Sequence, residues 1–540
     1  MSQTFKKKRA LALVVIAQTA IFIGATYGGV QARAQSADVR PNSHSAALPD
    51  LGDGTDMTPA AERRLGDRIA RELYRDPDYV DDPVLVEYVQ GIWQPLLAAA
   101  RERGDLTPEL NDAYAWEVLL GRDRTVNAFA LPGAYFGLHL GLVGLVTSRD
   151  ELASVLAHEL SHVTQRHIAR MMARQSQQAP WLLGAMILGM LAASKSTNAA
   201  NAMIVGGQAV GAQSQLNFSR DMEREADRVG FGVSGQAGFA PQGFVSMFSK
   251  LQQASRLNDS GNFPYLRSHP LSTERMADMQ SRIDLPDRQA DVKPAVRRNT
   301  QEMDHAMMAA RARVISNPAV DALRTWSQEV QPAALARLGP EQQAAVLYGA
   351  TFAAIKLRDY AEANSIWLRL TAHVQGDAAP LRLARLLGVE LMLAKGDNEQ
   401  ALRLLNQRNA SETLHGRTAL FLTAQALLQQ NSPAAGKPSG SLAGISQSLQ
   451  TWVASHPRDA QAWQLLGSVY AAQDRTLSSI RAQAEVFVAQ LDYPAALSRF
   501  KTAQEWARRN GAGTDHFEAS IVDTRTRQVE SLVREQALER

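Results

Sequence analysis

Leu152-Ala153-Ser154-Val155-Leu156-Ala157-His158-Glu159-Leu160-Ser161-His162-Val163 is an apolar, helix-periodic run that carries H-E-x-x-H at 158–162. On a helix, residues four apart share a face. Both imidazoles can therefore reach one zinc ion, with Glu159 beside them to work on a zinc-bound water. By chance the pattern arises about once per hundred chains of this length, so its surroundings decide its meaning. Upstream, Ser148-Arg149-Asp150-Glu151 reads as a capping box that starts the helix a little under three turns before His158.

A catalytic zinc needs three protein ligands and one open position. The extended motif H-E-x-x-H-x-x-G-x-x-H is not met, because Gln165 stands where Gly is required and Ile168 where His is required. His167 is five residues past His162; on a continuous helix it faces away and reads as structural, as does His139 in a strand candidate. The other route is a glutamate on a second helix. Phe218-Ser219-Arg220-Asp221-Met222-Glu223-Arg224-Glu225-Ala226-Asp227, with Gly230 after it, offers one. Glu223 and Asp227 share a face. Glu223 could ligate zinc while Asp227 holds the other ring nitrogen of a ligand histidine. Glu225 is the competing ligand, and taken alone the stretch would be an ordinary charged, solvated face.

The chain has 540 residues, 45% hydrophobic and 21% charged, with a formal net charge of +3. Lys6, Lys7, Lys8, Arg9 and Arg33 account for five positive charges in the first 34 residues, which contain no acid; removing them leaves 3 − 5 = −2. The basic balance is therefore a property of the N-terminal segment and gives no argument for nucleic acid as a partner. That segment has a basic start, an uncharged run from Ala10 to Ala32 and an A-x-A site at Ala32-Arg33-Ala34. It reads as a cleaved secretory signal over 1–34, with an uncleaved membrane anchor as the alternative. There is no cysteine. A secreted chain without disulfides must rely on core packing and metal, which suits a bacterial periplasm.

Residues 35–56 are polar and Pro/Gly/Ser-rich, a leader without a core. Helices are expected from Thr58-Pro59 to about Leu73 and over about 83–102. Strands are expected at Ala113 to Leu120 and Tyr135 to Val143. Between Arg174 and Arg220 the only charge is Lys195. The apolar parts of 181–212 are too short to span a bilayer. They read either as a buried hairpin or lid, or as a segment making peripheral contact with a membrane or an unfolded client. From about 300 the chain becomes Ala/Leu-rich and helical. Trp463-x-x-Leu466-Gly467-x-x-Tyr470 fits the first helix of a tetratricopeptide repeat. Asp359-Tyr360-x-x-Ala363-x-x-x-Trp367 and Asp492-Tyr493-x-x-Ala496-x-x-x-Phe500 fit its turn and second helix, and Gly396-Asp397-x-x-x-Ala401 is a weaker copy. A plain α-bundle is the alternative. Asn431 to Ser441 reads as a loop between repeats.

His158-Glu159-x-x-His162 with Glu223-x-x-Ala226-Asp227, preceded by Asn127-Ala128-Phe129-Ala130-Leu131-Pro132-Gly133, resembles the HtpX / CAAX-prenyl-protease superfamily of gluzincin zinc metallopeptidases. The signal segment and trailing repeats make it similar to the periplasmic BepA-like branch. The resemblance implies a zincin-like α+β peptidase domain, mostly helical with a small sheet, over 57–290, then an all-α tetratricopeptide-repeat domain over 291–540. It implies one Zn2+ per chain held by His158, His162 and Glu223, with Glu159 as general base. It implies that Asn127, Ala128, Phe129, Ala130, Pro132 and Gly133 lie along an edge strand that receives extended substrate, main chain to main chain. It also implies that His269, in Ser268-His269-Pro270-Leu271, can plug the open zinc position or help to hold the oxyanion; otherwise it is an exposed loop histidine. Arg275 on the next helix could help hold the site. The expected substrates are unfolded or stalled envelope proteins, and the expected partner is the outer-membrane β-barrel assembly machinery. Two readings stay open: an active endopeptidase with repeats for recruitment, or a chaperone-like scaffold with a latent, His-plugged protease site.

Overall fold

Two N-caps fix the first long helices. Thr58 Oγ1 accepts from the Ala61 amide at 3.2 Å, with Pro59 opening α1 (Pro59–Arg75). Asp82 Oδ1 accepts from the Leu85 amide at 2.9 Å, with Pro83 opening α2 (Pro83–Glu102). The computed structural model describes residues 57–174, 219–257, 263–284, 299–407, 416–431, 442–511 and 515–538. The expected signal segment and leader, the 181–212 run, nearly all of the 431–441 loop and the boundary near 290 lie outside the described residues.

A short helix, α3 (Pro108–Ala113), leads into a four-stranded sheet in the order β1-β2-β4-β3: β1 (Tyr79–Val80), β2 (Glu117–Gly121), β3 (Ala128–Leu131) and β4 (Tyr135–His139). β2 and β4 are parallel, and the outer pairs are antiparallel. β3 is thus an edge strand. Both strand expectations run too long. Ala113 ends α3, and left-handed Trp116 (φ 54°) delays β2 to Glu117. Leu140–Leu145 is a helix, α4, instead of the end of a strand. Leu140, Leu142 and Val143 are buried in it, and a short, wholly buried apolar run has no strand signature of its own.

α5 (Arg149–Thr164) carries the H-E-x-x-H residues and is buried on every face from Glu151 to Thr164. Ser148 Oγ accepts from the Glu151 amide at 3.2 Å. The return bond of the capping box reaches one residue further back, with the Thr147 amide donating to Glu151 Oε2 at 2.7 Å. α6 (His167–Arg174) follows after a break at left-handed Arg166 (φ 52°). α7 (Arg220–Gln236), capped by Ser219, crosses α5 so closely that a Cβ on Gly230 would lie 3.0 Å from the Ala157 carbonyl oxygen. α8 (Gln242–Leu257), α9 (Tyr265–Ser268) and α10 (Thr273–Asp284) complete this part.

From Asn299 to Leu538 every described regular element is a helix; Asn299–Ser316 packs on Pro340–Lys356, and from there each described helix packs on the next. The apolar core runs from Val80 to Ala426, so the first of these helices share it with α2, α4 and α5. Arg311, 1% exposed, locks them together: it donates to Asp82 at 2.7 and 2.8 Å, to Glu390 at 2.6 and 2.8 Å and to the Tyr348 hydroxyl at 3.1 Å. Nearly two helix turns earlier, His305 contacts the Val146 carbonyl at 2.8 Å and the Tyr88 hydroxyl at 2.6 Å. Burial pulls its pKa from the ordinary 6.5 down to about 4, against the Val146 carbonyl and Glu151. The folded state therefore holds His305 neutral where the unfolded chain takes up a proton. Its contribution is present above pH 6.5 and is lost as pH falls toward 4. The preference for the neutral ring is worth about 3 kcal/mol. His305→Gln should flatten the fall in denaturant midpoint between pH 7 and 4.5 relative to the parent; parallel curves would reject this account.

Candidate active site

Helix α5 presents His158 and His162 on one face, and α7 delivers Glu223 and Asp227 to the same place across the Gly230 crossing. The chain after α9 brings His269. One donor atom from each of His158, His162, Glu223 and His269 lies within 4.8 Å of the others, and all four side chains are buried. The two inward Nε2 atoms of His158 and His162 are 3.0 Å apart. Glu223 oxygens lie 3.4 Å from His158 Nε2 and 3.5 Å from His162 Nε2. His269 Nδ1 lies 3.3 Å from His158 Nε2 and 3.0 Å from Glu223 Oε1. Donors about 2.0–2.1 Å from a tetrahedral ion stand about 3.3 Å from each other, so the set has the dimensions of a metal site.

The charges agree with the distances. Glu159, Glu223 and Asp227 are each about 1% exposed, and the cation among them is Arg275. With all three carboxylates ionised and the imidazoles neutral, as metal ligation requires, the balance is −3 + 1 = −2, which a divalent ion neutralises. Arg275 donates to both Asp227 oxygens, at 2.6 and 2.7 Å, lies 2.8 Å from Glu223 and donates to the Pro270 carbonyl at 2.8 Å. Burial works against ionisation of Glu223 and Asp227, yet His269 and His158 hold Glu223 well below the usual carboxylate range, and Arg275 with His158 lowers Asp227. Burial also opposes charge on His158, but Asp227 and Glu223 outweigh it and lift the pKa to about 10. His162 is pushed far down, by burial and then by the His158 charge. Glu159 is pushed up by burial. Neither of its oxygens has a well-formed hydrogen bond; the Ala130 amide and His269 Nε2, 3.4 Å away, only oppose the rise. A buried carboxylate so weakly bonded, beside four converging donors, is what an ion and its water would complete.

Asp227 Oδ1 lies 2.9 Å from His158 Nδ1, on the side of that ring away from the cluster. Glu225 is elsewhere, 3.0 Å from both His167 Nε2 and Arg170. His269 is 2% exposed and stacks on Tyr265, with ring centroids 4.7 Å apart; it is not an exposed loop histidine. The Tyr265 amide donates to the Val126 carbonyl, tying this segment to the approach of β3. Along β3, Asn127 and Ala128 are buried and Phe129 and Ala130 half-buried. The Asn127 carbonyl accepts from the His139 amide at 3.0 Å, and Pro132 and left-handed Gly133 (φ 71°) turn the chain into β4. His139 itself contacts Thr125, away from the cluster.

His167 is a correction. Its ring does not face away: Nδ1 lies 2.9 Å from His162 Nδ1, and the side chain is fully buried. The expectation assumed an unbroken helix, and the left-handed turn at Arg166 breaks it and swings His167 back. The Arg166 guanidinium donates to the Met57 carbonyl and lies 3.7 Å from buried Glu62, which anchors that turn. Nothing in the local sequence other than a second histidine near the motif signals this, since Arg166 is not a residue that advertises positive φ.

The fold and this donor cluster define a metallopeptidase. Residues 105–283 match the model of peptidase family M48. The chain is 28% identical over 479 residues to the putative beta-barrel assembly-enhancing protease of Vibrio cholerae, covering 88% of this chain and 91% of that one. It is 28% identical over 485 residues to the beta-barrel assembly-enhancing protease of Escherichia coli K12, covering 88% and 90%. It is also 28% identical over 196 residues to the mitochondrial metalloendopeptidase OMA1 of Saccharomyces cerevisiae, covering 35% and 54%. Residues 105–283 thus carry a peptidase M48 domain, and with these relatives the chain is a metalloendopeptidase.

Because Glu223, and not Glu225, lies among the converging donors, Glu223→Gln should empty the site after dialysis, while Glu225→Gln keeps its metal. Elemental analysis of the purified variants decides between them, and metal retained by Glu223→Gln would remove this residue from the ligand set.

Proposed function

We propose that this chain is a periplasmic zinc endopeptidase that clears unfolded or stalled envelope proteins during outer-membrane assembly. The observation that carries the proposal is the buried quartet His158, His162, Glu223 and His269 with the weakly bonded Glu159 carboxylate beside it. In this reading His158, His162 and Glu223 hold zinc. When bound, the ion supplies Lewis acidity, which acidifies water and polarises the scissile carbonyl. Glu159 takes the proton from the attacking water and passes it to the leaving amine. Its burial, which raises its proton affinity, suits a group that must both accept and release a proton. Asp227 holds His158 by its outer nitrogen, and Arg275 holds Asp227. Substrate lies extended on the free edge of β3, close to α5, gripped through its main chain and therefore with little sequence preference.

His269 occupies the fourth position of the donor set. Its place there supports a resting enzyme that must be switched on, and makes a chaperone-like role compatible with an intact catalytic site. Residues 291–540 act as a tetratricopeptide-repeat domain that recruits clients and the β-barrel assembly machinery. Asp359, Asp397 and Asp492 each cap the second helix of a pair, and Ala363, Ala401 and Ala496 are buried at the small-residue positions. The names of the relatives matched along nearly the whole chain support the assembly role. The first 34 residues serve as the export signal, and 181–212 meets membrane or client.

Glu159→Gln should retain metal and lose at least about 100-fold in cleavage of an unfolded protein, the usual weight of a general base. Full proteolysis by that variant would end the assignment. His269→Ala should raise the cleavage rate of the same substrate at unchanged metal content; a rate that stays put or falls would mean that His269 serves the reaction instead of blocking it.

A further inference from the structure

We propose that His167, held by Glu225, is a positioning residue that fixes the ring and tautomer of His162. The inference rests on the reading of His162 as a metal ligand and adds a part which that reading does not contain.

Three side chains form a line leading out of the donor cluster. His162 turns Nε2 inward and Nδ1 outward. Its Nδ1 lies 2.9 Å from His167 Nδ1, and His167 Nε2 lies 3.0 Å from Glu225 Oε2. His162 and His167 are both fully buried, and their rings meet edge to face, with centroids 4.9 Å apart. Glu225 is the outer end, with a side chain 27% exposed. The same Glu225 oxygen lies 3.0 Å from Arg170, which keeps the carboxylate an acceptor.

The donor and acceptor inventory then sets the hydrogens along the line. A carboxylate can only accept, so His167 carries its hydrogen on Nε2. Neutral His167 is left with a bare Nδ1. Unlike the two Nε2 atoms that face the metal position, these nitrogens point away from the donor cluster, and two bare nitrogens with no cation between them do not meet at 2.9 Å, so His162 must donate from its own Nδ1. The lone pair of His162 is then on Nε2, facing the cluster. The opposite arrangement would place a hydrogen on His162 Nε2 and abolish ligation. His158 reaches the same state through Asp227 directly, at 2.9 Å from its Nδ1. One ligand is thus oriented by a carboxylate and the other by a carboxylate acting through an imidazole. The left-handed Arg166 is what makes the second device reachable from α5.

The test uses the full chain. In metal-free protein labelled with 15N-histidine, long-range proton–nitrogen correlations should show His162 protonated on Nδ1, assigned by the signal lost in His162→Gln. Zinc affinity measured by chelator competition should weaken by about 10–100-fold in His167→Leu and in Glu225→Ala, as for other groups that orient ligand histidines. The double variant should be no weaker than His167→Leu alone, because Glu225 acts through His167. His167→Gln, whose side-chain carbonyl can accept from His162 Nδ1, should recover most of the loss. Glu225→Ala, altered at a partly exposed position, carries the test if His167→Leu does not fold. Parent-like zinc affinity in Glu225→Ala and in any folded His167→Leu, or an Nε2-protonated His162, would overturn the proposal. Undiminished zinc binding in His162→Gln would instead overturn the assignment of the ligand itself.

Discussion

Arg275 is the residue on which the site, and with it the packing of three helices, depends. Carboxylates taken from water into a protein interior cost several kcal/mol each unless countercharge and hydrogen bonds replace the solvent. Glu159 on α5 and Glu223 and Asp227 on α7 all sit in such an interior. Arg275 on α10 meets the two acids of α7 with its fork and uses a remaining donor on the Pro270 carbonyl. The mutual position of α5, α7 and α10 is therefore set by charge as well as by apolar contact. The guanidinium leaves two negative charges over if Glu159 is ionised, which makes a divalent ion part of what stabilises the folded centre.

A comparable constraint joins this region to the C-terminal helices. Arg311 takes Asp82, the cap of α2, as one partner and Glu390 as another, and one apolar core runs through both parts. A buried guanidinium with two carboxylates is costly to break on either side. The helices that follow Asn299 are thus anchored to the peptidase scaffold by geometry that cannot slide, and their successive pairs are displayed from a fixed base.

Much of the site was legible because it depends on helix periodicity. His158 and His162 are four apart, as are Glu223 and Asp227, and each pair stays on one face for as long as its helix is regular. The caps at Thr58, Asp82, Ser148 and Ser219 mark their helices in the sequence, since a side chain must satisfy the free amides. Where regularity stops, legibility stops with it. Arg166 reverses the chain by one left-handed residue and converts a histidine expected to point away into a neighbour of the cluster. Leu140–Leu145 is apolar throughout and carries no period, so burial against neighbouring helices, not its own pattern, makes it helical. The packing of His269 against Tyr265 depends on a tertiary contact with Val126, and no local spacing encodes it.

The same arrangement bears on how a latent site could be opened without being destroyed. His269 is held by the stack on Tyr265 and its amide bond to the Tyr265 carbonyl, and through Pro270 by Arg275, while its ring approaches His158, Glu159 and Glu223. The first two involve no group that the site also needs. Arg275 can release Pro270 and keep both bonds to Asp227, because those bonds come from Nε and Nη2 whereas Pro270 is held by Nη1, which it shares with Glu223. Withdrawal of the 265–270 segment would then cost the Arg275 bond to Pro270, the approach of His269 to Glu223 and the Tyr265 bond to Val126, while the Arg275 bonds to Asp227 persist. Since the Tyr265 amide is tied to Val126, just before the edge strand, a chain pairing with β3 would press on the same tie. In the proposed reading, where a client pairs with β3, the bond between Tyr265 and Val126 would couple occupancy of that edge to the position of His269.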